Sequence, residues 1–112
     1  MWRHMNPVFQ VSDVERAVAW YQEVLGLTPT WTWEDRTVGM SIGDLELYLD
    51  RADKPSPSRV SVYVDDAEAA YEQYRAAGAV FAEGLETKPW GVRRFTVRDP
   101  DGNLIDVSHE VG

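Results

Sequence analysis

The sequence predicts an α+β fold of two similar halves, each a strand, a helix and three further strands. The first observation is a repeated local pattern at residues 11–17 and 64–70, in which an apolar strand ends at Val and polar residues precede a helix. In each copy a Glu stands three residues after a polar residue, Ser12 and then Asp65, which is the capping-box arrangement. The second observation is that alternating apolar runs follow each helix.

Alternation and turn residues predict the elements of the first half, residues 5–50. Residues 5–11 alternate as a strand, and residues 13–25 carry apolar side chains at helical spacing, with Gly26 placed to end the helix. Three strands follow at 28–34, 37–42 and 45–50 because these runs are rich in β-branched and aromatic residues between turn residues. Residues 51–58, with two prolines and no apolar periodicity, are predicted to be a linker.

The second half, residues 59–110, repeats the order. We predict a strand at 59–64, a helix at 66–77, and strands at 80–83, 92–98 and 103–109, with a loop at 84–91. Asp99-Pro100-Asp101-Gly102 has Pro second and Gly fourth, as a β-turn favours. Both halves together, residues 1–112, have the size of one domain.

Composition excludes several classes of function. The net charge of −8 disfavours nucleic acid as a partner, because binding phosphates requires clustered Lys and Arg. No apolar run is long enough to span a bilayer, so we expect no membrane partner. The chain has no cysteine, which excludes disulfides and thiolate chemistry and favours a reducing cytoplasm.

Strand alternation separates two faces of the predicted sheets. One face is apolar and is expected to pack under the helices: Phe9, Val11, Leu45, Leu47, Leu49, Val60, Val62, Val64, Phe95, Val97, Ile105 and Val107. The opposite face is polar and aromatic: Asn6, Gln10, Glu46, Tyr48, Arg59, Ser61, Tyr63, Arg94, Thr96 and Asp106. Trp31 and Trp33 share one face of a neighbouring strand. This polar face suits the wall of a ligand cavity, a subunit interface, or a solvated sheet.

Several segments in a fixed order resemble one known family. They are Phe9-Gln10-Val11-Ser12-Asp13, Val24-Leu25-Gly26-Leu27, Val62-Tyr63-Val64-Asp65-Asp66, Pro89-Trp90-Gly91 and Arg98-Asp99-Pro100-Asp101-Gly102-Asn103. The chain resembles the vicinal oxygen chelate superfamily, which includes glyoxalases, extradiol dioxygenases and bleomycin-resistance proteins. The resemblance implies two βαβββ modules whose curved mixed sheets surround a cleft, in single-domain members often shared by a homodimer.

The resemblance also locates the four positions at which metal-dependent members hold their ion. They fall on Asn6, Glu46, Arg59 and Asp106. Asn is a weak neutral ligand, and the guanidinium of Arg59 has a permanent charge and no lone pair to donate. We therefore expect no metal and no other cofactor, and we expect Arg59 to pair with a carboxylate. His4, on the same predicted face as Asn6, is a weaker candidate ligand.

Three classes of function remain open. The first is a binding protein, similar to bleomycin-resistance proteins, that sequesters a small aromatic cation without catalytic residues. Its expected ligand-binding residues are Trp31, Trp33, Glu46, Tyr48, Arg59, Tyr63, Trp90 and Asp106. The second is a metal-dependent or metal-free enzyme of the lyase, dioxygenase or isomerase type. The third is a module whose polar face only dimerises.

Overall fold

Two βαβββ modules make up the chain, as the sequence predicts. The computed structural model describes all residues, 1–112. The first module has four strands and one helix: β1 (Val8–Val11), α1 (Val14–Glu23), β2 (Thr28–Trp33), β3 (Thr37–Ile42) and β4 (Leu45–Arg51). The second module has the same order: β5 (Arg59–Tyr63), α2 (Ala67–Ala76), β6 (Val80–Thr87), β7 (Val92–Arg98) and β8 (Leu104–Glu110).

Each module contains one mixed, four-stranded sheet. The strand orders are β1-β4-β3-β2 and β5-β8-β7-β6. The first strand of each module runs parallel to the last, and the other neighbours are antiparallel. The chain divides into two compact units at residues 58 and 59. That residues 1–112 form a single domain stays a prediction.

Each helix packs on one face of its own sheet, so the opposite face is left for polar side chains. In the first module Phe9, Tyr21, Met40 and Leu49 are almost fully buried between α1 and the sheet. In the second module Phe95, Val97, Ile105 and Val107 form the corresponding core beside α2. Leu45 alternates with the predicted apolar face but is exposed, at the first position of β4 beside the β3–β4 turn.

The helix starts differ from the predicted capping boxes by one residue. The N-caps are Asp13, which accepts from the N–H of Arg16, and Asp66, which accepts from the N–H groups of Glu68 and Ala69. The predicted caps Ser12 and Asp65 lie one position earlier. Two adjacent polar residues suit a cap equally well, so composition alone does not select between them.

Strand bounds are close to prediction except in β1 and β6. β1 begins at Val8, three residues after the predicted start, and the residue before it, Pro7, has no N–H to donate to a ladder. β6 continues to Thr87, through half of the predicted 84–91 loop. Two register irregularities in its pairing with β7 interrupt the alternation that would have identified it. β4 also extends to Arg51, the first residue of the predicted linker. Both helices are ten residues long, and neither has the length and apolar character needed to cross a membrane.

Candidate ligand-binding site

Glu46 is the centre of a hydrogen-bonded cluster on the polar face of the first module. Its Oε2 atom accepts from Nε1 of Trp31 at 3.1 Å, from Oγ1 of Thr30 at 3.1 Å and from Oγ of Ser41 at 3.3 Å. Ser41 is its direct cross-strand partner. The second carboxylate oxygen, Oε1, accepts no hydrogen bond from the protein. The carboxylate is therefore fixed through one oxygen and available through the other.

Trp31 lies on the same face, in a row with Gly39 and Tyr48. Cross-strand pairing aligns these three residues on β2, β3 and β4. The indole approaches the Tyr48 ring edge-on, with ring centroids 5.1 Å apart and planes at 73°. Trp31 remains 39% exposed, so one side of a fixed ring faces outward. Trp33 pairs with Thr37 in the next row of the same face and is more exposed, at 57%.

Asn6 closes the other side of this cluster. Its Nδ2 donates to the backbone carbonyl of Glu46 at 2.9 Å, and its Oδ1 accepts from the Tyr48 hydroxyl at 3.3 Å. Nδ1 of His4 lies 2.7 Å from the same Oδ1. Both ends of the Asn6 amide are thus occupied by protein groups, and His4 is directed at this amide.

In the second module, Arg59 and Asp106 form the expected charge pair. Nε and Nη2 of Arg59 each donate to one oxygen of Asp106 at 2.8 Å, a bidentate arrangement. Thr96 donates to the same carboxylate at 2.6 Å, and Nη1 of Arg94 lies 4.0 Å away. The Asp106 side chain is only 7% exposed, whereas that of Arg59 is half exposed.

The charge pair decides the protonation state of this carboxylate. Burial opposes ionisation of Asp106, but the hydrogen bonds from Arg59 and Thr96 and the charges of Arg59 and Arg94 outweigh it, so its pKa lies below the ordinary value. The hydrogen bond to Asp106 and its charge in turn raise the pKa of Arg59. Glu83, which accepts from Thr96 and Arg94, also has a lowered pKa, first because of the Thr96 hydrogen bond and then because of the charge of Lys88.

The remaining predicted ligand residues of the second module do not join this pair directly. Trp90 is exposed and has cations of its own chain near its ring, Arg94 at 5.3 Å and Lys88 at 5.9 Å from the centroid. Tyr63 pairs with Ser108 on the polar face and is 57% exposed. Of the predicted set, the structure joins Trp31, Glu46 and Tyr48 within the first module and Arg59 and Asp106 within the second.

Comparison with known proteins identifies the family. The sequence profile of the Glyoxalase/Bleomycin resistance protein/Dioxygenase superfamily matches residues 4–107. The chain belongs to this superfamily. No curated protein matches the sequence significantly.

Among solved structures, TioX from Micromonospora sp. ML1 is similar, with 26% identity, a TM-score of 0.86, and coverage of 98% of this chain and 100% of TioX. A virulence protein from Salmonella typhimurium shares 26% identity at a TM-score of 0.78, covering 99% and 98%. A lactoylglutathione lyase from Agrobacterium tumefaciens, at 22% identity and a TM-score of 0.79, covers 96% and 92% and shows the shared fold alone.

The residues at the superfamily's metal positions do not fit a divalent ion. In the second module the guanidinium of Arg59 takes both oxygens of Asp106, and a fixed cation repels a metal. In the first module the Asn6 amide is already bonded at both ends. No three His, Asp or Glu side chains are grouped so that they could share an ion. We therefore assign no chemistry to a metal here.

Sequence reasoning missed several residues that build these clusters. The surroundings of Glu46 and Trp31 are formed by Thr30, Ser41 and Gly39. Small residues on a strand show only which face they occupy, so the sequence gave no further signal for them. His109, for which the sequence gives no signal, also has a definite partner: its Nδ1 accepts from the N–H of Ala67 at the start of α2, at 2.8 Å. This contact joins two residues far apart in the sequence, so spacing could not indicate it.

Proposed function

We propose that this chain binds and sequesters a small aromatic cation, in the manner of antibiotic-resistance proteins, without using a metal. The observation that carries the proposal is the partly exposed indole of Trp31, which is hydrogen-bonded to Glu46. The other carboxylate oxygen of Glu46 accepts no hydrogen bond from the protein. Aromatic stacking or a cation–π contact with such a ring is worth about 0.5–2 kcal/mol. The carboxylate of Glu46 would accept an N–H from the same ligand.

The charges of the two clusters favour the first module as the cation-binding side. Asp106 is neutralised by Arg59, so it offers little attraction to a positive ligand. The ring of Trp90 already has Arg94 and Lys88 nearby, which weakens its attraction for a further cation. Glu46 has no such counter-ion. In this proposal Trp31, Glu46 and Tyr48 hold the ligand, and Trp33, in the next row of the same face, adds apolar surface. Tyr63 and Trp90 of the second module remain candidate ligand-binding residues.

We further propose that two copies of the chain share the binding cleft, in a reducing, cytoplasmic compartment. Exposed side chains on the polar faces support a second copy: Val8 and Trp33 in the first module and Tyr63 in the second are each about half exposed. Aromatic residues of this kind are enriched at subunit interfaces. Light scattering of the purified protein should give twice the chain mass. The mass of a single chain at all working concentrations would remove the shared cleft from the proposal.

A fluorescence titration tests the binding function. Bleomycin and proflavine, a planar aromatic cation with amino groups, are titrated into the protein while its tryptophan emission is followed. We expect saturable quenching, and we expect Glu46→Gln to weaken binding about tenfold because it removes the charge from a charge-assisted hydrogen bond. Glu23→Gln is the matched control, since Glu23 is exposed at the end of α1.

Two results of this titration would contradict the proposal. If neither compound changes the emission of the wild-type protein, a dimerising module is the better account. If Glu46→Gln binds as tightly as Glu23→Gln, the carboxylate of Glu46 is not part of the site.

A further inference from the structure

Gly39 stands in the interior of β3, where its backbone conformation does not require glycine. It is not among the glycines with positive φ, and it pairs with Tyr48 on β4 and with Trp31 on β2. Glycine weakens a strand, and inside one it often marks a place where another group approaches the backbone closely. The presence of glycine at position 39 is therefore to be explained by the lack of room for a side chain and not by backbone geometry.

The indole of Trp31 occupies the space that a side chain at position 39 would need. A Cβ on Gly39 would lie 2.2 Å from Nε1 and 2.5 Å from Cε2 of Trp31, far inside contact distance. Even alanine would force the ring away. The indole therefore lies against the bare backbone of β3.

Three contacts then fix the ring. Gly39 lies under one part of it, Nε1 donates to Glu46, and the Tyr48 ring meets it edge-on. Moving the ring outward would stretch the 3.1 Å hydrogen bond to Glu46. A ring held in this way loses little freedom when a ligand stacks on its outer side, which is the advantage of a preorganised site.

We propose that Gly39 is a positioning residue that seats Trp31 for ligand stacking and so selects planar aromatic cations that carry an N–H donor. The inference rests on the binding function proposed above. Nε1 of the indole donates a hydrogen bond to Oε2 of Glu46, so a ligand stacked on the Trp31 ring has the Glu46 carboxylate at the ligand's edge. Oε1 of Glu46 accepts the ligand N–H. Flat compounds without charge or N–H gain the stacking contact only.

Nuclear magnetic resonance tests the seating of Trp31 without any ligand. The five Trp residues give five indole N–H signals, and Trp31→Phe identifies that of Trp31. We expect Gly39→Ala to shift this signal and to speed its exchange with water, because the bond to Glu46 is broken. Gly84→Ala is the matched control: Gly84 lies in β6 and a Cβ added there would meet no atom within 4 Å, so the Trp31 signal should not move.

Binding of proflavine and of uncharged acridine tests the ligand class. We expect the wild-type protein to prefer proflavine, and Gly39→Ala to bind it about tenfold more weakly, equivalent to about 1.4 kcal/mol. In a Trp31→Ala background the same Gly39→Ala change should have no further effect, because Gly39 acts only through this ring. That double substitution relieves the steric conflict, so it also serves if Gly39→Ala alone folds poorly.

The outcomes separate this inference from the proposed function. Suppose that the wild-type protein binds, but Gly39→Ala leaves the Trp31 signal unshifted or the affinity unchanged. This result overturns the role of Gly39 and leaves the binding function standing. Equal affinity for proflavine and acridine overturns the ligand class. If the wild-type protein binds neither compound, the function and the ligand class both fail, while the Trp31 signal still decides the contact.

Discussion

Replacing Arg59 by Met removes the charge opposite Asp106 and keeps a flexible side chain of similar length. Asp106 then remains buried, at 7% exposure of its side chain, with Thr96 as its hydrogen-bond donor and Arg94 at 4.0 Å. The carboxylate loses two hydrogen bonds of 2.8 Å. We expect this change to destabilise the folded protein.

The size of the effect follows from the burial of the two partners. Breaking a fully buried pair costs about 3–5 kcal/mol, whereas an exposed pair contributes about 0–1 kcal/mol. Arg59 is half exposed and Asp106 retains two other partners, so we expect a loss between these limits, about 1–3 kcal/mol in the free energy of unfolding.

The pH dependence gives an independent signature. Because the pKa of Asp106 is lower in the folded chain than its ordinary value of 3.8, its ionised form stabilises the fold above that pH. This stabilisation is lost as the pH falls through the lower, folded value. In Arg59→Met burial is less well opposed, so the pKa of Asp106 rises and the acid-dependent loss of stability becomes smaller.

Urea unfolding at neutral and acidic pH measures both effects, and Arg75→Met is the control. Arg75 makes a similar two-nitrogen contact with Glu72 on α2, but both side chains are exposed, at 60% and 62%. The control should change stability much less than Arg59→Met, because an exposed ion pair contributes little. If Arg59→Met is no less stable than Arg75→Met, and its pH profile matches the wild type, the pair does not stabilise the second module as argued.

Two further predictions concern the same module. Replacing His109 by Ala removes the acceptor of the Ala67 N–H, so thermal unfolding should show a loss of about 0.5–2 kcal/mol, as for a deleted helix cap; an unchanged melting temperature would contradict this contact. Replacing Arg59 by His should create a Ni²⁺ or Zn²⁺ site with Asp106 and Glu83, because the Glu83 carboxylate lies 3.8 Å from the present guanidinium. Calorimetric titration should detect binding of the ion. No gain in metal affinity over wild type would show that the three positions do not converge.

The elements with uninterrupted patterns were predictable from the sequence. β3 and β7 have the predicted bounds, Thr37–Ile42 and Val92–Arg98, because alternation and flanking turns define both ends. β6 was predicted too short because its irregular pairing places residues out of phase with the simple period of two. The helix caps were displaced by one residue because Ser12 and Asp13 are both good caps.

The candidate site was only partly predictable. The resemblance places Arg59 and Asp106 at two metal positions and so predicted that Arg59 pairs with a carboxylate. The structure identifies that carboxylate as Asp106. The packing of the Trp31 indole against Gly39 depends on the side-chain rotamer of Trp31 and on the irregularity between Pro29 and Trp31 in the β2–β3 pairing. Neither is encoded in a residue pattern. The contacts of Lys88 and Arg94 with the Trp90 ring likewise can be recognised only from three-dimensional positions.

The central claim is that Arg59 fills the place of a metal ligand, which leaves a protein that binds its ligand without an ion. Elemental analysis of the purified wild-type protein for Fe, Ni, Zn and Mn tests this most directly. We expect only traces of each, and no uptake when the protein is incubated with these ions and desalted. One tightly held equivalent of any of them per chain would contradict the account.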